Sequence, residues 1–231
     1  MAYLPEVIET SWLKLSRLLL ASQSLYCLST PFHNAAVELL LAMLAAYLLG
    51  SANFSLLVCR WRGRVDLRRT GSGNPGMSNA YRVLGPRWAA LILVLDAGRG
   101  VLLAAAAQLL FTSCWQQLLV CLALLAGNLF PLFHQFRGGK GFATSMGMYL
   151  AVQPLAAVLC GTCWLLVVYF TRLASLATLL SAGLFPLLVL ALERTAGCSL
   201  GLGLFILVVV LFSHRANLRR LLRGTEHRFN R

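Results

Sequence analysis

Trp88-Ala-Ala-Leu-Ile-Leu-Val-Leu-Asp96-Ala-Gly-Arg99-Gly-Val-Leu-Leu-Ala-Ala-Ala-Ala-Gln-Leu-Leu-Phe-Thr112 is the stretch on which the fold class turns. Only Asp96 and Arg99 are charged in it. The run exceeds the roughly 20 apolar residues that a helix needs to cross a bilayer. On either side of it, residues 35–59, 117–134, 142–153, 155–171, 173–192 and 197–213 are similarly apolar. The chain has 231 residues, is 59% hydrophobic and 12% charged, and has a mean hydropathy of +0.76. A soluble domain of this length needs far more polar surface. The expected fold is all-α: a polytopic membrane domain over 35–231 with seven transmembrane helices. The stretch 142–153 is short for a crossing, and a hairpin with 155–171 around Pro154 is the five-crossing alternative. Residues 1–34 read as an extension whose Trp12, Leu13, Leu15, Leu18 and Leu19 form one face of an interfacial helix.

The net charge of +13 does not point to nucleic acid. The charges cluster in short segments between and after the apolar runs, and no basic stripe interleaves with aromatics. If Arg60–Arg87, Arg137–Gly141, Arg172 and the C-terminal tail share one face, that face holds all basic residues except Lys14, Arg17, Arg99 and Arg194, or 16 of 20. The positive-inside rule makes that face cytoplasmic, with the N-terminus outside and the C-terminus inside. Membrane lipids and phosphorylated substrates are the expected partners.

Between the spans lie two glycine-rich basic loops, Gly71-Ser72-Gly73-Asn74-Pro75-Gly76 and Phe136-Arg137-Gly138-Gly139-Lys140-Gly141. Glycine lets the backbone bend and bring N–H groups close to a ligand. Arg and Lys beside it supply charge for an anion, most often phosphate. Lys140 is one of only two lysines; the other 18 basic residues are Arg. A compact ammonium serves as a point charge where a guanidinium fork does not fit. No Walker A pattern is present. A Ser-His-Asp triad is poorly supported, because Asp96 lies inside a span and Asp66 is flanked by Arg64 and Arg68. Asp96 and Arg99, spaced i,i+3, read as a buried ion pair. Most of the seven cysteines lie in or beside apolar helices and read as small hydrophobes, including Cys160-Gly-Thr-Cys163. Neither a metal site nor a cofactor is expected.

A third segment, His214-Arg215-Ala-Asn217-Leu-Arg219-Arg220-Leu-Leu-Arg223-Gly224-Thr225-Glu226, comes after the last span. The three segments in this order resemble the bacterial membrane acyltransferases that use acyl phosphate to acylate glycerol 3-phosphate. That family carries GSGNxGxxNxxR, FxGGKG and HRxNxxRLxxGxE motifs, and the resemblance covers roughly residues 37–229. It implies a multi-pass protein of the bacterial inner membrane with its site facing the cytoplasm. It carries over Ser72, Arg82, Lys140, His214 and Asn217 as functional. Arg82 and Lys140 would hold phosphates. Arg68, Asn79 and Asn217 would orient glycerol 3-phosphate. Backbone N–H groups around Gly71, Gly73, Asn74, Gly138 and Gly139 would stabilise developing oxyanion charge. Ser72 and His214 would position or deprotonate the hydroxyl, with the acyl phosphate itself able to accept the proton. Asn128 stands where a Gly-His pair is usual, Arg99 where Lys is usual and Ser78 where Thr is usual. A transporter of a phosphorylated compound and a non-catalytic lipid-binding family member are the alternatives.

Overall fold

The computed structural model describes residues 35–63, 65–192 and 197–229. The interfacial helix expected in 1–34 lies outside them. The chain divides into two compact units, Met1–Leu40 and Leu41–Arg231. Of the first unit only the opening turns of a helix are described; the architecture and the site belong to the second.

Among the described residues helices joined by loops make up the structure, with no strand. The helices are α1 (Ala35–Ser51), α2 (Phe54–Gly63), α3 (Met77–Leu84), α4 (Pro86–Leu110), α5 (Cys114–Leu129), α6 (Phe142–Val152), α7 (Pro154–Thr171), α8 (Ala174–Leu192), α9 (Cys198–Ser213) and α10 (Arg215–Leu222). Five of the described segments are long and apolar enough to cross a membrane: Ala35–Arg62, Pro86–Leu110, Cys114–His134, Pro154–Thr171 and Ala174–Leu192. α9 joins α10 through a bend of 64°, and the pair is a sixth candidate. This is an all-helical integral membrane architecture. α6 is the short apolar helix, as expected: 11 residues rise about 16 Å, roughly half of a hydrocarbon core.

Local sequence sets the boundaries. Pro86 and Pro154 open α4 and α7, where a missing N–H costs nothing. Asn53 breaks the first span, and its Oδ1 accepts the Leu56 N–H at 3.1 Å to start α2. The polar stretch 60–87 is therefore not a plain loop. It holds the end of α2, a loop, all of α3 and the start of α4.

α4 packs most extensively on α6. Gly100 lies against the Thr144 carbonyl and Gly147 against the Ala97 carbonyl, so a Cβ at either would overlap backbone. Small residues allow this approach where lipid supplies no hydrophobic drive. Beside the crossing, Arg99 Nη2 pairs with Asp96 Oδ1 at 2.7 Å. Arg99 also donates to the Gly50 and Ala52 carbonyls at 3.2 and 3.1 Å and to Thr144 Oγ1 at 3.3 Å. Those carbonyls belong to the break between α1 and α2, where helical partners are missing. The intramembrane pair thus fastens α4 to the broken first span.

One expectation is corrected. Cys114 and Cys198 are not free hydrophobes: they form a disulfide joining the N-terminal ends of α5 and α9. Their separation of 84 residues hides the pairing in the sequence, which shows only two scattered cysteines.

Candidate functional site

A cavity of about 340 Å³ opens where the ends of several helices meet. Its polar wall includes Ser72, Arg82, Lys140, His214, Asn217 and Glu226. Its apolar wall includes Leu93 on α4, Met146 on α6, and Gly161, Trp164 and Leu165 on α7. All three sequence motifs reach it, although the first and the third lie at opposite ends of the domain.

The first loop is organised by Asn79, the third residue of α3. Its Oδ1 accepts the Ser72 N–H at 2.8 Å, and its Nδ2 donates to the Leu67 and Thr70 carbonyls at 3.1 and 2.9 Å. Asn79 is 1% exposed, so these bonds are shielded from water. Gly71, at φ +60°, lies against the Asn79 side chain, where a Cβ would collide with Oδ1. Asn79 therefore uses its amide within the loop. Asn79 also lines the cavity, where it is expected to orient substrate.

Arg68 is engaged away from the cavity. Its guanidinium makes a bidentate pair with Asp66, at 3.0 and 2.8 Å, and donates to the His134 carbonyl at 3.2 Å. The paired guanidinium pulls the Asp66 carboxyl down to about 2. Arg68 is absent from the cavity wall, as are Gly71, Gly73 and Gly138. Asn74 and Gly139 are on it.

The second loop hangs from the end of α5. The Gly138 and Gly139 N–H groups donate to the Leu129 and Asn128 carbonyls, both at 3.1 Å. A Cβ at Gly139 would come within 2.7 Å of the Pro75 carbonyl, so this glycine lets the two loops meet. Asn128 is buried. Its Nδ2 donates to Thr144 Oγ1 at 2.9 Å, which ties α5 to the first turn of α6 and to Arg99. The replacement of the usual residue at 128 is thus absorbed into the scaffold under the loop.

Lys140 projects into the cavity at the N-terminus of α6 and donates to Asn217 Oδ1. Asn217 Nδ2 donates to Glu226 Oε1 at 2.7 Å, and Arg220 Nε holds Glu226 Oε2 at 2.9 Å. Burial pulls the Lys140 amine down to about 8; Glu226 opposes that shift, and Arg220 and Arg82 add to it. His214 sits at the α9–α10 bend. Its Nδ1 is 3.0 Å from the Val210 carbonyl, which can only accept, so Nδ1 carries the proton and Nε2 keeps its lone pair. Burial, then the Lys140 charge, pushes His214 down to about 3, so the ring is neutral.

Arg82, on α3, donates to the Ser78 carbonyl at 3.2 Å and to the His227 carbonyl at 3.3 Å. Its guanidinium lies 4.8 Å over the Phe229 ring, and the Phe229 N–H donates to the Arg172 carbonyl at 3.0 Å. The C-terminal tail thereby runs across α3 to the α7–α8 turn. Arg82 Nε is buried without a partner. Burial lowers the Arg82 pKa.

Glu226 joins the site without having been expected there. Its signals in the sequence are that it closes the third motif and is the sole acid in a tail rich in Arg. Asp96, in the expected ion pair with Arg99, and Asn128, bonded to Thr144, also line the cavity.

This arrangement defines a membrane-embedded helical protein with a cationic, helix-terminus-lined cavity continuous with an apolar wall. A family model described as Glycerol-3-phosphate acyltransferase matches residues 40–224. The chain belongs to that family. A glycerol-3-phosphate acyltransferase of Azotobacter vinelandii is 44% identical over 191 residues, covering 82% of this chain and 98% of that one. The relative of that name from Pseudomonas paraeruginosa is 42% identical with the same coverage. A crystal structure of PlsY (YgiH), an integral membrane glycerol 3-phosphate acyltransferase in its glycerol 3-phosphate form, superposes with a TM-score of 0.78 at 35% identity. The match covers 84% of this chain and 96% of that one.

Proposed function

We propose that this chain transfers a fatty acyl group from acyl phosphate to the 1-hydroxyl of glycerol 3-phosphate, releasing lysophosphatidic acid and inorganic phosphate. The observation that carries the reading is one cavity with a cationic end and an apolar end. Both substrates are phosphate esters or anhydrides, and one carries a long chain. A solved relative described in a lysophosphatidic acid form, 34% identical with a TM-score of 0.76, supports the product.

The residues divide the work. Lys140 and the free N–H groups of the first turn of α6 hold one phosphate, since a helix N-terminus and an ammonium both favour an anion. Arg82, with its unused Nε, serves the second. His214 Nε2 and the Ser72 hydroxyl orient the attacking 1-hydroxyl. Its oxygen adds to the acyl carbonyl carbon. The bond from that carbon to the phosphate oxygen then breaks, and the departing phosphate takes the hydroxyl proton. His214 is a poor proton store, because its burial penalises the imidazolium. Substrate assistance is thus favoured over a histidine base, and direct transfer over an acylated Ser72.

We assign the site to the cytoplasmic face of a bacterial inner membrane, with seven crossings, the N-terminus outside and the C-terminus inside. Two features support this. The basic segments gather at the cavity end. The Cys114–Cys198 disulfide joins the starts of α5 and α9, whereas the last residues of α5 and His214 after α9 reach the cavity. Disulfides persist in oxidising compartments.

The test is phosphate release by purified protein given palmitoyl phosphate with and without glycerol 3-phosphate, then intact-mass spectrometry. Release that depends on glycerol 3-phosphate, with no acyl adduct in its absence, is expected. A stoichiometric acyl adduct on Ser72 would replace direct transfer with a two-step route.

A further inference from the structure

The apolar end of the cavity has its own design. α6 and α7 form a hairpin around Gln153. In that hairpin Gly161 faces Met146: a Cβ at Gly161 would find only the Met146 Cε, at 4.0 Å, and otherwise open space. Met146 lies five residues past Gly141, about 7.5 Å further into the membrane along α6. Trp164, one turn nearer the loops on α7, is held by a hydrogen bond from its Nε1 to Thr178 Oγ1 on α8, at 3.2 Å. A tethered indole makes a rigid wall, because its two side-chain torsions are fixed by the bond. On the same wall Leu93 is 39% exposed and Leu165 64%, so this end of the cavity reaches the lipid-facing surface.

We propose that Gly161 and Trp164 set the acyl-chain length this site accepts. Gly161 leaves open the passage by which a long chain continues past Met146 toward the bilayer. Trp164, braced by Thr178, closes the side of that passage toward α8. The inference rests on the acyl-transfer reading for its substrate. A short chain ends before the level of Gly161, whereas a long chain must pass it. A side chain at 161 therefore discriminates by length, and removing a wall at 164 relaxes it.

The test uses full-length protein in phosphatidylethanolamine–phosphatidylglycerol bilayers and compares kcat/KM for palmitoyl and hexanoyl phosphate. Gly161→Leu is expected to lower the palmitoyl-to-hexanoyl ratio by about tenfold or more, with Gly161→Ala intermediate. An unchanged ratio in Gly161→Leu overturns the proposal. A second measurement decides the matter should that variant be inactive with both substrates. Lysophosphatidic acid with a brominated chain is expected to quench tryptophan fluorescence in the wild type, with clearly less quenching in Trp164→Phe and recovery on adding excess unbrominated lipid. Equal quenching in the two proteins overturns the proposal. Failure of the donor reading looks different: the wild type forms no product from either acyl phosphate, while the Trp164-dependent quenching persists.

Discussion

The loop from Asp66 to Gly76 largely holds itself together, whereas the loop from Phe136 to Gly141 is held by the helix before it. In the first, Asn79 directs three side-chain hydrogen bonds to Leu67, Thr70 and Ser72, and Asp66 engages Arg68. In the second, the carbonyls of Asn128 and Leu129 grip Gly139 and Gly138, and the long polar side chain delivered to the cavity is Lys140. The two glycine-rich segments look alike in sequence and differ in task. The first is a scaffold that presents backbone and a serine. The second is a tether that delivers a charge.

Removing that charge should have the largest effect. Lys140→Ala is expected to lower kcat/KM about a thousandfold, because a counter-charge is lost from a half-buried site, while the protein still elutes as a monodisperse species. Turnover near the wild-type level would place the phosphate elsewhere. Asn79→Ala attacks the scaffold instead. It leaves the Ser72 N–H and two carbonyls without their buried partner, at a cost of roughly 2–4 kcal/mol. Its signature is a lowered thermal midpoint together with an activity loss smaller than that of Lys140→Ala. An unchanged midpoint would mean the loop does not depend on that amide.

Acidity separates the two loops as well. The Lys140 amine is depressed from 10.5 to about 8, and only its protonated form attracts phosphate. Activity at low substrate should therefore hold below that value and fall as pH rises through about 8. At saturating substrate the fall should move to higher pH, because a bound phosphate stabilises the ammonium. His214, depressed to about 3, adds no acid limb near neutral pH. A profile that stays flat well into the alkaline range would contradict this account of Lys140. The smallest effect is expected of Arg68→Ala. Its pair with Asp66 is partly exposed, at 22% and 31%, and such pairs contribute about 0–1 kcal/mol. Activity within about threefold of wild type is expected. A loss as large as that of Lys140→Ala would return Arg68 to the substrate site.

Much of the fold is legible in the chain. The span boundaries fall within a few residues of the helices because proline, asparagine and glycine punctuate the apolar runs. The i,i+3 spacing of Asp96 and Arg99 announces their ion pair, since residues three apart share a helix face. The split of the first span is hidden, because Ala52 and Asn53 interrupt an otherwise apolar run without proline or charge. The partner that makes the break tolerable, Arg99, lies 49 residues from Gly50 in sequence. The disulfide is hidden for the same reason: nothing local distinguishes Cys114 and Cys198 from the buried Cys121 or Cys160.

Local composition and spacing, which act over a few residues, are enough to establish the solvent of this protein, its helical class and three basic, polar segments between and after the spans. They do not establish which motif residues face the cavity and which hold the scaffold; that was settled by how the helices pack. Asn79, although on the cavity wall, spends its amide on its own loop, and Arg68 pairs with Asp66 off that wall, while Lys140, His214, Asn217 and the unforeseen Glu226 converge on the cavity. The physical reason is that a buried polar group must find a partner, and the choice of partner depends on which helix ends packing brings within reach.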